Sequence, residues 1–296
     1  MDCNLTNKFI LCPVLDIIVA EVVETQRVFW RKLFTAKGYQ MVTIFDWFGY
    51  EVPYEKRYRL IKEAGFDGVL LYWSDEFNNT DYKHCPEMAR DAGLFVENIH
   101  TSFDNINDLW LDNLSGDEIV DYLLQCVDDC HEYEIPTMIV HLTSGDNPPH
   151  ANELCVKRIN RIIERAEQKC VNVALENLRK PEYLGFVFDR ITSSRLGFCF
   201  DSGHQNCRSK NIDLLSMYGE KLMAVHLHDN DESSDQHRMP FDGNIDWNTV
   251  MKKLSDIHYN GYTALEIMNA GYENIEKPSE FLSIAFDRAK KLDNLR

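Results

Sequence analysis

From Met41 onward, short apolar runs recur along the chain with polar, helix-period stretches between them. The runs are 41–46 (MVTIFD), 67–72 (DGVLLY), 94–100 (LFVENIH), 136–142 (PTMIVHL), 171–176 (VNVALE), 196–201 (LGFCFD), 222–228 (LMAVHLH) and 262–267 (YTALEI). Each is nearly continuously apolar, the pattern of strands buried on both faces. Between most of them, apolar residues fall at helical spacing. Leu154, Ile159, Ile162, Ile163 and Ala166 do so over 150–169, and Phe281, Leu282, Ala285, Phe286 and Ala289 over 278–294. Ser115 and Glu118 form an S-x-x-E capping box, which predicts a helix start just before Ile119. The weakest helical pattern is 181–190, interrupted by Pro181 and Gly185. Gly65 and Gly93 stand where helices must stop ahead of strands two and three. Eight βα units in alternation predict a parallel sheet closed into a (β/α)8 TIM barrel of the α/β class.

The first forty residues stand outside this repeat. Their apolar run, 9–20 (FILCPVLDIIVA), is interrupted by Pro13 and Asp16 and has no convincing cleavage site after it. It is also too short to span a bilayer, so neither a signal peptide nor a membrane span is expected. Residues 1–40 are expected to be an N-terminal extension, an appendage or an upstream start that the functional protein does not need. Residues 41–296 are then the barrel, 256 residues long, close to the roughly 250 typical of the fold.

Composition narrows the function. At 44% hydrophobic and 27% charged residues, disorder as the main state is excluded. The formal charge of −17 repels phosphate backbones, so a nucleic-acid partner is not expected. The nine cysteines are odd in number and scattered, with no CxxC pair. They fit buried thiols in a reducing compartment, hence a cytoplasmic protein without a disulfide framework. Oligomeric state is left open, a homo-oligomer included.

In such a barrel the chemistry lies at the C-terminal ends of the strands. Strand three ends in His100, strand four in His141, strand five in Glu176 and strand six in Asp201, with His204 three residues on. Strand seven carries His226 and His228, the following loop Asp235 and His237, and strand eight ends near Glu266. A lone strand-end histidine is usually a hydrogen-bonded structural residue. Six of the ten histidines at one station, interleaved with four carboxylates, are not explained by packing. Carboxylates gathered at that density repel one another and need neutralising. A divalent cation does this with mixed His and carboxylate ligands. His226 and His228 are two apart and face the same side of their strand, His226 deeper. His84, His131, His150 and His258 fall in helices or loops and read as structural.

The stretches GFCFDSGH (197–204), HLHDND (226–231), DQH (235–237) and LENL (175–178) resemble the xylose isomerase-like barrel superfamily, from about Met41 to the C-terminus. The resemblance implies a core metal site of Glu176, Asp201, His226 and Glu266. In the sugar epimerase branch this set holds one divalent ion, commonly manganese, with zinc, magnesium or cobalt as alternatives. The activity implied is isomerisation or epimerisation of a sugar, sugar phosphate or polyol. It would run through a metal-stabilised enediolate, with Glu176 and Glu266 as the catalytic acid and base. His204, with His237 or Arg238, would touch substrate hydroxyls. Trp73, Phe48 and Trp110 are candidates to stack on a sugar face. Arg179 and Lys180 read as a solvated surface pair.

The endonuclease IV branch offers the alternative, a trinuclear zinc phosphodiesterase acting on abasic DNA. His100, His141 and Glu176 resemble its first site, and Glu176, Asp201, His226 and Glu266 its second. His204, Asp235 and His237 resemble its third. Three positions depart from that branch: Asp201-Ser202-Gly203-His204 replaces D-T-C-H, and His228 stands where Asn is usual. The loops after strands one and two, FGYEVPYEKR and WSDEFNNTDYK, are aromatic and acidic, which suits a polyol better than a phosphodiester.

Overall fold

The computed structural model describes residues 40–74 and 81–296, and the expectation of an appendage before Met41 concerns residues outside these, Gln40 apart. Eight strands follow the eight apolar runs: β1 (Val42–Phe45), β2 (Gly68–Trp73), β3 (Phe95–Thr101), β4 (Thr137–Val140), β5 (Asn172–Glu176), β6 (Leu196–Asp201), β7 (Leu222–His226) and β8 (Thr263–Leu265). Neighbours are parallel throughout, in the order β7-β6-β5-β4-β3-β2-β1-β8. The two ends of that order meet through a parallel bridge between Leu227 and Leu265. The Leu227 N–H donates to the Ala264 carbonyl at 2.9 Å, and the Glu266 N–H donates back to Leu227 at 3.2 Å. The sheet is thus a nearly closed barrel.

The main connecting helices are α1 (Tyr54–Ala64), α2 (Cys85–Asp91), α3 (Leu114–Glu132), α4 (Glu153–Lys169), α5 (Glu182–Phe188), α6 (Ser202–Arg208), α7 (Leu214–Tyr218), α8 (Trp247–Asp256) and α9 (Pro278–Asp293). On α4 the apolar stripe Ile159, Ile162, Ile163 and Ala166 is buried, and the Asn152 side chain caps the first turn by accepting from the Leu154 and Cys155 N–H groups. Gly65 closes α1 at φ 111°, a conformation that favours glycine. α3 differs from the expected capping box. Its cap is Asn113, whose side chain accepts from the Gly116 N–H at 2.8 Å, so Ser115 lies inside the first turn. The exposed Leu114 begins the helix without belonging to its apolar stripe, which hides the true start from a hydrophobic-period reading.

Inside the barrel, Ile139, Ala174, Cys199 and Ala224 form a small buried layer beneath the C-terminal mouth. The larger core lies mainly between strands and helices. The described cysteines are free, most of them buried. No helix among the described residues is long and apolar enough to cross a membrane.

Candidate metal centre

Each polar side chain of the mouth stands at the end of a strand or just past it. Glu176, Asp201 and His226 are the last residues of β5, β6 and β7. His141 and Glu266 follow β4 and β8 directly, and His100 is the penultimate residue of β3. Asp201 also caps α6, accepting from the His204 N–H at 2.6 Å, which brings His204 over the same mouth. Asp235 and His237 come from the long loop after β7. His237 is fixed to the exit of β8: its Nδ1 lies 2.9 Å from the Glu266 carbonyl, and its own carbonyl accepts from Met268.

Glu176 is the hub. Its Oε2 lies 3.3 Å from His100 Nε2, 3.1 Å from His141 Nε2 and 3.5 Å from His226 Nδ1, and its Oε1 lies 3.2 Å from His204 Nδ1. Among the described residues five groups have ligand atoms mutually within 4.8 Å, three of them being Glu176, Asp201, His226 and Glu266; His100, His141 and Glu176; and His228, Asp235 and His237. The first two match the sets read from sequence. The third has His228 in place of His204, although His204 Nε2 is 3.1 Å from Asp235 Oδ2.

The donor set fits a divalent cation. His100 Nδ1 lies 2.9 Å from the Thr101 carbonyl, which can only accept, so Nδ1 carries the hydrogen. In a neutral ring this leaves the Nε2 lone pair facing a carboxylate oxygen, an arrangement that a cation between them satisfies. His237 repeats it, with Nδ1 against the Glu266 carbonyl and Nε2 3.3 Å from Asp235. Such backbone anchoring of the remote nitrogen is what ordinarily orients a metal-binding imidazole. Both ring nitrogens of His226 and the Glu266 Oε2 are buried without an aligned hydrogen-bond partner, although His226 Nδ1 and Glu266 Oε2 are only 3.0 Å apart. A cation between them would satisfy buried polar atoms this close but unaligned.

The charges are strongly coupled. Burial resists ionisation of Glu176, but the His226 and His141 rings override it and hold its carboxyl well below the usual range. Burial likewise opposes charge on Glu266, and His226 again wins, keeping it low. His204 and His226 are raised despite burial, His204 chiefly by Asp201 and Asp235, His226 by Cys199, Glu266 and Glu176. His141 is lowered by burial. Cys199, just below the site, was not anticipated as a neighbour; burial pushes its thiol up to about 12.

A cavity of 420 Å³ opens above the ligands, with Glu176, Glu266, His204 and His237 among its lining residues. Its aromatic wall is Phe45, Trp47, Tyr72 and Phe103. The three aromatics expected to stack on substrate are elsewhere. Trp73 is fully buried and its indole donates to Asp129 on α3 at 2.9 Å. Trp110 is buried and donates to the Leu142 carbonyl, and Phe48 stacks on Phe281. Side-chain alternation explains Trp73: Tyr72 pairs in register with His100 and shares its inward face, so the next residue points out toward the helices. Arg238 is also turned away, paired with Asp231 at 3.1 Å, and does not line the cavity. Arg179 does line it, paired with Asp146 at 3.3 Å.

The fold and the donor set define a class: a (β/α)8 barrel whose C-terminal mouth gathers candidate metal-ligating side chains. The chain belongs to the xylose isomerase-like TIM barrel family, whose family model matches residues 58–284. An uncharacterized protein of Sinorhizobium fredii is 24% identical over 265 residues, covering 74% of this chain and 83% of the relative. One of Methanocaldococcus jannaschii is 25% identical over 259 residues, covering 79% and 87%. Among solved structures, a D-tagatose 3-epimerase-like protein is similar with a TM-score of 0.66 at 20% identity, covering 86% of this chain and 98% of that one. D-psicose 3-epimerase of Clostridium cellulolyticum with D-tagatose gives 0.66 at 15% identity, covering 86% and 99%. The 3-keto-D-glucoside 4-epimerase of E. coli gives 0.62 at 17% identity, covering 86% and 100%. At these identities the likeness establishes the fold.

Proposed function

We propose that the protein is a divalent-metal-dependent isomerase or epimerase of a sugar, sugar phosphate or polyol, with manganese as the working ion. The observation that carries this reading is the pairing of two buried glutamates, Glu176 and Glu266, in one ligand group at the floor of a cavity with an aromatic wall. The fold shared with several sugar epimerases supports it. Glu176, Asp201, His226 and Glu266 would hold the ion. When bound, a divalent ion polarises a substrate carbonyl and acidifies the neighbouring C–H.

The two glutamates handle the proton. In the metal-free protein the charge of neighbouring histidines holds both below the usual carboxylate range. A bound cation would hold them there in its place, as carboxylates able to accept the proton. One removes the proton from the carbon beside the carbonyl. For an isomer it returns that proton to the former carbonyl carbon, while the neighbouring hydroxyl proton passes to the former carbonyl oxygen. For an epimer the other glutamate, having taken a proton from solvent, delivers it to the opposite face of the same carbon, and the first gives its proton up to solvent. His204 and His237 line the cavity beside them and are placed to bind hydroxyls. Phe103 and Trp47 offer apolar faces for a sugar ring. The test is exchange of carbon-bound hydrogen when candidate ketoses are incubated with the manganese-loaded protein in D2O. Metal-dependent deuterium incorporation is expected, and its absence from a broad ketose panel would count against the reading.

A second reading, a three-zinc phosphodiesterase acting on abasic DNA, is favoured by one observation: the additional groups around His100 and His141 and around Asp235 and His237. The net charge of −17 opposes it. Metal content per chain separates the two, about one ion against about three, and cleavage of an abasic-site oligonucleotide would decide for the second.

A further inference from the structure

His228 is not among the four residues proposed to hold the ion, although it shares a ligand group with Asp235 and His237, and it is wholly buried beside Asp201. Its Nε2 lies 3.0 and 3.1 Å from the two oxygens of Asp201 and 3.8 Å from Asp235 Oδ1. Its ring stacks on His237 with centroids 4.0 Å apart and planes 11° from parallel. The backbone of His228 is tied to Ser202, whose hydroxyl donates to the His228 carbonyl at 2.7 Å and accepts from its N–H at 3.0 Å. The next residue, Gly203, provides the space. A Cβ added there would stand 1.9 Å from Cε1 and 2.4 Å from Nδ1 of the ring. Residues 202 and 203 therefore make one cradle: the first fixes the main chain of His228, the second admits its imidazole.

We infer that His228 is a positioning residue that holds the Asp201 carboxylate at the candidate metal centre, and that Gly203 is glycine to make room for it. The inference rests on the metal-site reading above. Asp201 is fully buried and offers one ligand atom to the Glu176 group. Its Oδ1 already accepts from the His204 N–H and lies 3.5 Å from His204 Nδ1, whereas among the described residues the hydrogen-bond partner of Oδ2 is His228. Without His228 the carboxylate is held from His204 at Oδ1 alone and can turn about its Cβ–Cγ bond. A ligand carboxylate that rotates off its bearing weakens the site, and loss of such a supporting contact typically costs about 10–100-fold in metal affinity. Two of the departures of this chain from the D-T-C-H and Asn pattern, Gly203 and His228, then have one physical cause. They face each other, and the imidazole fits only where residue 203 carries no Cβ.

The test is manganese affinity of the metal-free full chain, measured by titration calorimetry, with unfolding in chelator as the check on folding. His228→Leu keeps the bulk and removes the donor; it should weaken binding about 10–100-fold. His228→Gln places an amide N–H near the position of Nε2 and should restore most of the affinity. Gly203→Ala should weaken binding as His228→Leu does, and the Gly203→Ala/His228→Leu double variant should be no weaker than either single one. Wild-type affinity in His228→Leu would overturn the inference. So would equal losses in the Leu and Gln variants, which would make His228 a packing residue only. Multiplicative losses in the double variant would overturn the part assigned to Gly203. A wild-type chain that binds neither manganese nor zinc would remove the metal-site reading itself, a separate outcome.

Discussion

Asn177 clasps Asp201 from both sides: its side-chain amide donates to the Asp201 carbonyl at 2.8 Å, and its side-chain oxygen accepts from the Asp201 N–H at 2.8 Å. The paired ladder of β5 and β6 runs as far as Glu176 and Cys199. The clasp carries it one step further, by side chain instead of main chain, and so fixes the spacing between Glu176 and Asp201. Asn177→Ala should remove two buried hydrogen bonds to the Asp201 main chain and cost about 1–3 kcal/mol. Denaturant unfolding of the metal-free protein measures this. Metal affinity should fall in the same variant.

Glu176→Gln and Glu266→Gln should each reduce turnover by at least about 100-fold, the usual worth of a positioned acid or base. The measurement is deuterium incorporation into the active ketose. Near-normal exchange in either variant would mean that proton transfer lies with some other group.

The pH response of the metal-free protein has a definite sign. Burial alone would lower His237, but the hydrogen bond to Asp235 and the charge of Glu266 raise it to about 9. A raised histidine stabilises the fold fully below its unfolded pKa of about 6.5 and loses that contribution as pH rises through the folded value. Unfolding midpoints in chelator should therefore fall between about pH 7 and pH 9. His226, one of the four proposed ligands, is raised as well and must lose its proton to bind, so affinity should rise with pH and binding should release protons. Calorimetry in buffers of different ionisation enthalpy reads that release. A binding enthalpy independent of buffer would contradict it.

The cavity wall and the core should respond differently to truncation. Phe103 is 39% exposed and stacks on His141 with centroids 4.7 Å apart. Phe103→Ala should raise KM about three- to tenfold with little change in stability. Trp73→Ala should instead destabilise the fold by about 3–5 kcal/mol. Steady-state kinetics and thermal unfolding of the two variants distinguish these effects.

The eight strands were legible because each apolar run is short, bounded by turn residues and buried on both faces. The gathering of polar side chains at the strand ends followed from strand order, whereas the particular set Glu176, Asp201, His226 and Glu266 was implied by the resemblance to the family. What escaped depends on direction and on side-chain competition. Trp73 and Tyr72 are adjacent, and only the register with His100 decides which of them faces the cavity. The same period-2 argument that placed His226 and His228 would have selected Tyr72. Asn113 outcompetes Ser115 as the cap of α3, a choice that rests on the extended backbone at Asn113 (φ −148°, ψ 165°). Arg238 carries a charge that the site might have used, but its partner Asp231 is seven residues away and claims it. The role of His228 needed Gly203 beside it, a contact between the segment after β7 and the start of α6 that no sequence spacing encodes.

The join between β7 and β8 is the thinnest seam of the barrel, a single bridge at Leu227 and Leu265. His226 and Glu266 flank it, one on each side, with their ligand atoms 3.0 Å apart. An ion gripped by both would rivet the cylinder shut at its weakest line. Loading with manganese should then slow amide hydrogen exchange at Leu227 and Glu266 more than along the β4–β5 ladder, where Thr137 to Val140 are already continuously paired. The same few atoms would serve as reaction centre and as the last fastener of the fold.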